Sequence, residues 1–187
     1  MNIAIDIDDT LTESFDHFMP FVAEYFEADI EELRKRKISY GNLPKEWKER
    51  ELDFCKTYYD TYAADSPFKS DAVWGVNTLR ELGHKIIIIT ARTEAFYTDP
   101  YKTTRKELEN GGIIYDKLIC TLDKAKACKD ENISVLIDDT PKNCESVIGV
   151  GIPALLFESK ANKGMETELV RVKSWAEAVE AVKKLSL

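Results

Sequence analysis

Asp6 and Asp8, followed by Asp9 and Thr10, close an apolar run, Ile3-Ala4-Ile5, that reads as a buried first strand. Two carboxylates so close together at a strand end repel each other and lose hydration. Such a pair is kept where a cation or an incoming reactant uses it. Strand residues two apart point the same way, so where the chain begins to turn, both side chains can face one centre from different angles. A solvated Asp-rich turn is the plain alternative for this motif taken alone, and the rest of the chain must decide.

Three further polar groups follow apolar runs. Lys85-Ile86-Ile87-Ile88-Ile89, bounded by Gly83, fits a strand buried on both faces and leaves Thr90-Ala91-Arg92 at its exit. The Thr90 hydroxyl can donate to an anion, although a strand-end threonine also serves as a local hydrogen-bonding group. Ser134-Val135-Leu136-Ile137 runs into a second acidic pair, Asp138-Asp139, and then into Thr140-Pro141, where proline suits the first turn of a helix. Between these strands, Lys117-Leu118-Ile119-Cys120 leads into Thr121-Leu122-Asp123-Lys124, with Lys126 close behind. Either lysine alone reads as a surface residue.

In this order the groups resemble the four motifs of the haloacid dehalogenase superfamily: DxDx(T/V) at Asp6, Asp8 and Thr10, a strand-end Thr at Thr90, a Lys at Lys124, and an acidic pair at Asp138/Asp139. The resemblance spans nearly the whole chain. It implies that Asp6 is the nucleophile, forming an aspartyl-phosphate that water then cleaves. Asp8 would protonate the leaving alkoxide and then activate the water. Lys124 would neutralise the nucleophile and the transferring oxygens while Thr90 donates to one of them, and Lys126 is the substitute should Lys124 point outward.

Hydrolysis of a phosphate monoester demands some of the largest enzymatic accelerations known, so several effects must act together. A carboxylate approaching a phosphate meets like-charge repulsion of about 4 kcal/mol per charge pair at ~4 Å and an effective dielectric of about 20. A divalent cation must offset it. Magnesium suits an all-oxygen, partly hydrated site, and the resemblance assigns it to the Asp6 carboxylate, the Asp8 backbone carbonyl, and either Asp138 or Asp139.

Two other classes fit the chain less well. Bacterial receiver domains also combine acidic residues, Thr and Lys, but their acidic pair comes first and Thr precedes Lys at the end, whereas this chain ends on its second acidic pair. A binding protein that keeps the fold without its chemistry is disfavoured by the presence of every expected polar residue.

The elements that must position these groups have an α/β pattern. Strands near 2–8, 85–90, 117–120, 133–138 and 154–157 alternate with helical segments, which predicts a Rossmann-like parallel sheet of about five strands with helices on both faces. Ser70 can cap a helix over 71–82 that Gly83 ends, and Ser174 with Glu177 forms a capping box opening the final helix. Far more residues lie between Thr10 and Thr90 than the ~10–12 a minimal crossover needs. The stripes Phe15, Phe18, Val22, Tyr25, Phe26 and Leu52, Cys55, Tyr59, Tyr62 therefore predict a small helical cap over 14–65, inserted into a core of 1–13 and 66–187.

In the superfamily a cap at this position closes over the substrate and excludes water. Phe15, nearest the nucleophile in sequence, is the expected substrate contact from the cap. Arg92 either meets substrate phosphate or pairs with Glu94 or another surface acid. The Arg34-Lys35-Arg36-Lys37 run reads as a solvated face.

The cap position, Thr121-Leu122-Asp123-Lys124 and Leu136-Ile137-Asp138-Asp139 also resemble the 5'(3')-deoxyribonucleotidases, which dephosphorylate nucleoside monophosphates. This chain has Asp9 where that family commonly has Gly, and Ala91-Arg92 where it has Ser-Pro. Its base-stacking aromatic falls one position out of register with Phe15. The alternative substrate is a sugar phosphate or another small phosphomonoester.

Composition agrees. A chain of 187 residues can form one substantial core with a small accessory lobe, and the net charge of −8 disfavours nucleic-acid backbones and favours a small phosphorylated metabolite. No run approaches the ~20 apolar residues of a membrane span, and no basic-then-hydrophobic leader opens the chain, so a cytoplasmic enzyme with no membrane partner is expected. The four cysteines have neither zinc-ligand nor disulfide spacing.

Overall fold

The computed structural model describes residues 1–36 and 43–186. Six parallel strands form one sheet: β1 Asn2–Ile5, β2 Lys85–Thr90, β3 Lys117–Cys120, β4 Val135–Asp138, β5 Ala154–Phe157 and β6 Val170–Val172, in the order β3-β2-β1-β4-β5-β6. The sixth is an edge strand of three residues with a charged centre, Val170-Arg171-Val172, too short and too polar to register as a strand pattern. β1 is shorter than expected because the Ile7 carbonyl accepts from the amides of Thr10, Leu11 and Thr12 at 3.1, 2.8 and 3.1 Å, which turns the chain.

Both faces of the sheet are covered, as continuous apolar strands require. Successive side chains alternate sides. Ile3, Ile5, Ile86, Ile88, Val135 and Ile137 pack with α4 (Ala72–Glu81) and α8 (Trp175–Leu185). Ala4, Ile87, Ile89 and Leu136 pack on the other side with α6 (Lys124–Asp130) and α7 (Pro141–Ile148).

At α4, Asp71 rather than Ser70 occupies the cap position, and its carboxylate accepts instead from the Trp175 amide at 3.0 Å. Gly83, at φ 83°, follows the helix end as expected. At α8 the Ser174 hydroxyl accepts from Glu177 N at 3.2 Å, and the Glu177 carboxylate accepts from Lys173 N at 2.8 Å.

Between β1 and α4 run α1 (Ser14–Phe26), α2 (Ile30–Lys35), a 3-10 turn (Lys45–Trp47) and α3 (Lys48–Asp65). They share a separate aromatic core in which Phe18, Phe54 and Tyr62 are fully buried. Leu52, expected in that stripe, is 56% exposed, and Phe54 takes the inward position. Of the basic run, Arg34 and Lys35 pair with Glu31 and Glu32 on the surface, while Lys37 lies outside the described residues. No helix among the described residues is long and apolar enough to cross a membrane.

The chain leaves β1 for β2 and β3 on one side and later returns to β4 on the other, so the crossovers diverge between β1 and β4. Open α/β sheets bind ligands at the C-terminal strand edge beside such a point.

Candidate active site

At that edge β1 delivers Asp6, which is 5% exposed and whose amide continues the sheet ladder by donating to Ile137 O at 3.0 Å. Lys124 opens α6, where the Asp123 carboxylate caps the helix by accepting from Lys126 N at 2.9 Å. This start aims Lys124 inward. Its ammonium donates to Asp6 Oδ1 and to Asp138 Oδ2, both at 2.6 Å. Lys126 instead pairs with Asp130 on the exposed side of the same helix.

Asp138, the last residue of β4, accepts further from Thr140 N at 2.8 Å and from Asn143 Nδ2 at 3.1 Å. Its oxygens are thus engaged by the protein. Asp139 lines the adjoining cavity, where the Thr140 hydroxyl contacts it at 3.3 Å.

One oxygen from each of Asp6, Asp138 and Asp139 lies within 4.8 Å of the others. Burial, aided by the nearby Asp138 and Asp8, pushes the Asp6 carboxyl up to about 7 although Lys124 opposes it. Burial with Asp9, Asp138 and Asp6 holds Asp139 well above the usual carboxylate range. Burial alone would lower the Lys124 ammonium, but Asp138 and Asp6 outweigh it and raise the group above its ordinary value. One ammonium facing several buried carboxylates leaves the cluster short of positive charge, and an all-oxygen donor set of this kind fits a hard divalent cation. Thr90, at the end of β2, is fully buried, and its hydroxyl has no hydrogen-bond partner among the described residues.

Asp9 has φ 56°. That left-handed position ordinarily favours glycine, although aspartate tolerates it. Its side chain accepts from Phe15 N at 2.8 Å, supplying at α1 the cap that Glu13, at the cap position, does not.

Asp8 accepts from Arg92 Nη2 at 2.9 Å and Nε at 3.1 Å, and from the Ser14 hydroxyl at 3.0 Å. Arg92 is 2% exposed and also donates to both oxygens of Glu107, on α5 (Pro100–Asn110). Its partner acids are therefore Asp8 and the interior Glu107, not Glu94. No periodicity singled out Glu107, which sits on a mostly polar helix.

The carboxylates open into a cavity of about 630 Å³, whose far wall carries Glu51 and Tyr59 from α3 and Phe96 and Tyr97 from the loop after β2. Phe15 does not line it. Its side chain is 6% exposed and joins the aromatic core of α1 to α3, because the bond from its amide to Asp9 turns the ring away from the strand edge. Tyr59 stood in a sequence stripe as a core residue, and Phe96-Tyr97 carried no pattern at all.

A family model described as 5' nucleotidase, deoxy (pyrimidine), cytosolic type C protein matches residues 1–185. The chain belongs to this family. It is a phosphatase of the haloacid dehalogenase superfamily, a hydrolase of phosphoric monoesters of the 5'-nucleotidase type. Comparison with curated proteins finds no match. Among solved structures, the fold is similar to a "predicted phosphatase" from Clostridium acetobutylicum, at TM-score 0.70 and 15% identity over 98% of each chain. It is also similar to a haloacid dehalogenase-like hydrolase from Streptococcus pneumoniae, at 0.65 and 15% over 97% of each. A third, a family hydrolase from Deinococcus radiodurans with bound phosphate and sodium, gives 0.66 and 13% over 99% of this chain and 96% of that one.

Proposed function

We propose that this hydrolase is magnesium-dependent, acts through an aspartyl-phosphate on Asp6, and takes (deoxy)nucleoside monophosphates as substrates. The observation that carries the reading is the meeting of Asp6, Lys124, Asp138 and Asp139 at one strand edge, beside a buried Thr90 hydroxyl that has no hydrogen-bond partner among the described residues. Magnesium held by the carboxylates of Asp6 and Asp139 and the Asp8 carbonyl supplies the charge that lets a carboxylate approach a phosphate. Asp138 serves as outer support, since Lys124, Thr140 and Asn143 already engage it.

In the first step an Asp6 oxygen bonds to phosphorus as the ester P–O bond breaks, and Asp8 gives its proton to the departing alkoxide. Lys124 and Thr90 donate to the transferring oxygens. In the second step Asp8 takes a proton from water as the water oxygen bonds to phosphorus and the P–O bond to Asp6 breaks, releasing phosphate and restoring Asp6 as a carboxylate and Asp8 as the protonated acid. The 14–65 helices act as a cap that keeps bulk water from the intermediate. The family assignment, the aromatic far wall and a volume of about 630 Å³ support a nucleoside as the leaving group. The family's cytosolic description supports a cytoplasmic location.

The test is phosphate release from a panel of nucleoside and sugar monophosphates with and without magnesium. Nucleoside monophosphates are expected to be cleaved only with the metal. No release from any of them would overturn the substrate assignment. Asp6→Asn should lower turnover by on the order of 10³-fold or more with the melting transition preserved, and substantial residual activity removes Asp6 from the nucleophile role.

A further inference from the structure

Arg92 is the only arginine among the described residues that lines the cavity, and a cavity arginine invites assignment to substrate phosphate. Its hydrogen bonds argue otherwise. Nε and Nη2 hold the two oxygens of Asp8 at 3.1 and 2.9 Å, Nη1 and Nη2 hold the two oxygens of Glu107, and Nη1 also reaches the Thr104 hydroxyl at 3.4 Å. The fork is thus filled on both sides by carboxylates. Arg92 and Glu107 are 2% and 0% exposed, so neither can turn to solvent without breaking buried charged contacts.

We propose that Arg92 and Glu107 are a positioning couple: Glu107 fixes the guanidinium plane, and that plane sets the direction in which the Asp8 carboxylate faces the leaving oxygen. The fork geometry is what makes this possible. A guanidinium held on one edge by one carboxylate has a single remaining orientation to offer a second carboxylate, whereas an ammonium imposes none. The Ser14 hydroxyl, itself 2.6 Å from the Thr12 hydroxyl, takes one more lone pair of Asp8 and leaves rotation about the Cβ–Cγ bond restricted from both sides. Glu107 lies on α5 and Ser14 on α1, so the two anchors come from different elements.

The inference rests on the reading of Asp8 as the proton donor to the leaving group, and leaving-group dependence tests it separately from that reading. A nucleoside alkoxide needs a proton to depart, whereas p-nitrophenolate leaves unaided. A well-placed general acid contributes on the order of 10²–10⁴-fold. In Glu107→Gln and in Arg92→Lys, the ratio of kcat/KM for a nucleoside monophosphate to kcat/KM for p-nitrophenyl phosphate, both with magnesium, should fall about tenfold or more, since kcat/KM reports departure of the leaving group and not the hydrolysis of the intermediate that both substrates share. The double variant should fall no further than the larger single effect.

The ratio does not depend on how much of a preparation is folded, so a general loss of structure cannot imitate this result. If Glu107→Gln does not fold, Arg92→Lys carries the test. An unchanged ratio, with both substrates slowed equally, overturns the positioning role. A wild-type enzyme that cleaves neither substrate overturns the hydrolase mechanism instead.

Discussion

At the residue scale the site is defined by which carboxylates are already satisfied. Asp138 is held by the Lys124 ammonium and two further protein donors, while Asp139 lines the cavity with the hydroxyls of Thr140 and Ser159, and no cation, as its hydrogen-bond partners among the described residues. Asp139→Asn should therefore raise the magnesium concentration for half-maximal activity by about tenfold or more, as read from titrations of phosphate release. An unchanged titration assigns the metal contact elsewhere.

Glu107 poses a different question, because burial pushes its carboxyl from 4.5 up to about 7 while Arg92 pulls it down. A folded-state value above the unfolded one means that the native protein binds the proton more tightly. The resulting stability is fully present below about 4.5 and is lost as pH rises through about 7. In thermal melts from pH 4.5 to 8, the wild type should thus lose ground to Glu107→Gln as pH rises. A gap moving the other way would show that the ion pair with Arg92 outweighs burial.

At the element scale the loop that follows β1 is held from behind by α8. Trp175 is fully buried and its indole N–H donates to Thr10 O at 3.2 Å, tying the loop after β1 to the helix across the sheet. That approach requires a small residue opposite. A Cβ placed on Gly75 of α4 would lie 2.7 Å from the Trp175 side chain. Gly75→Ala should destabilise the fold by about 1–3 kcal/mol in urea unfolding, even though alanine is the better helix former. A neutral or stabilising result would mean that α8 can move away without cost.

At the scale of the whole molecule, the cavity lies where the α1 to α3 helices meet the sheet edge, and polar bonds from α3 help to fix that contact. The Lys56 ammonium, on α3, donates to the carbonyls of Glu94 at 2.7 Å and Tyr97 at 3.2 Å, and Asp60 accepts from Thr103 Oγ1 at 2.7 Å. The Lys56 bonds hold the loop bearing Phe96 and Tyr97 against the wall formed by Tyr59, and the Asp60 bond ties α3 to α5. A hydrogen bond is worth about 0.5–1.5 kcal/mol net, so Lys56→Ala should raise KM for a nucleoside monophosphate by about three- to tenfold, as measured in steady-state kinetics. An unaltered KM would show that this wall does not meet the substrate.

The sequence by itself determined the α/β class, five of the six strands, and the chain order of the polar groups that follow them. Each of these is written in local periodicity and in the residue just past a run, so neighbours within a few positions suffice. Only the tertiary structure decided which lysine turns inward, which acid of the second pair stays engaged, that Phe15 belongs to the helical core, and that Arg92 is spent on two carboxylates. Lys124 meets Asp6 across 118 positions and Arg92 meets Asp8 across 84. No pattern along the chain encodes such pairings, because they arise from strand order and from the direction in which a helix start or a backbone turn happens to aim a side chain.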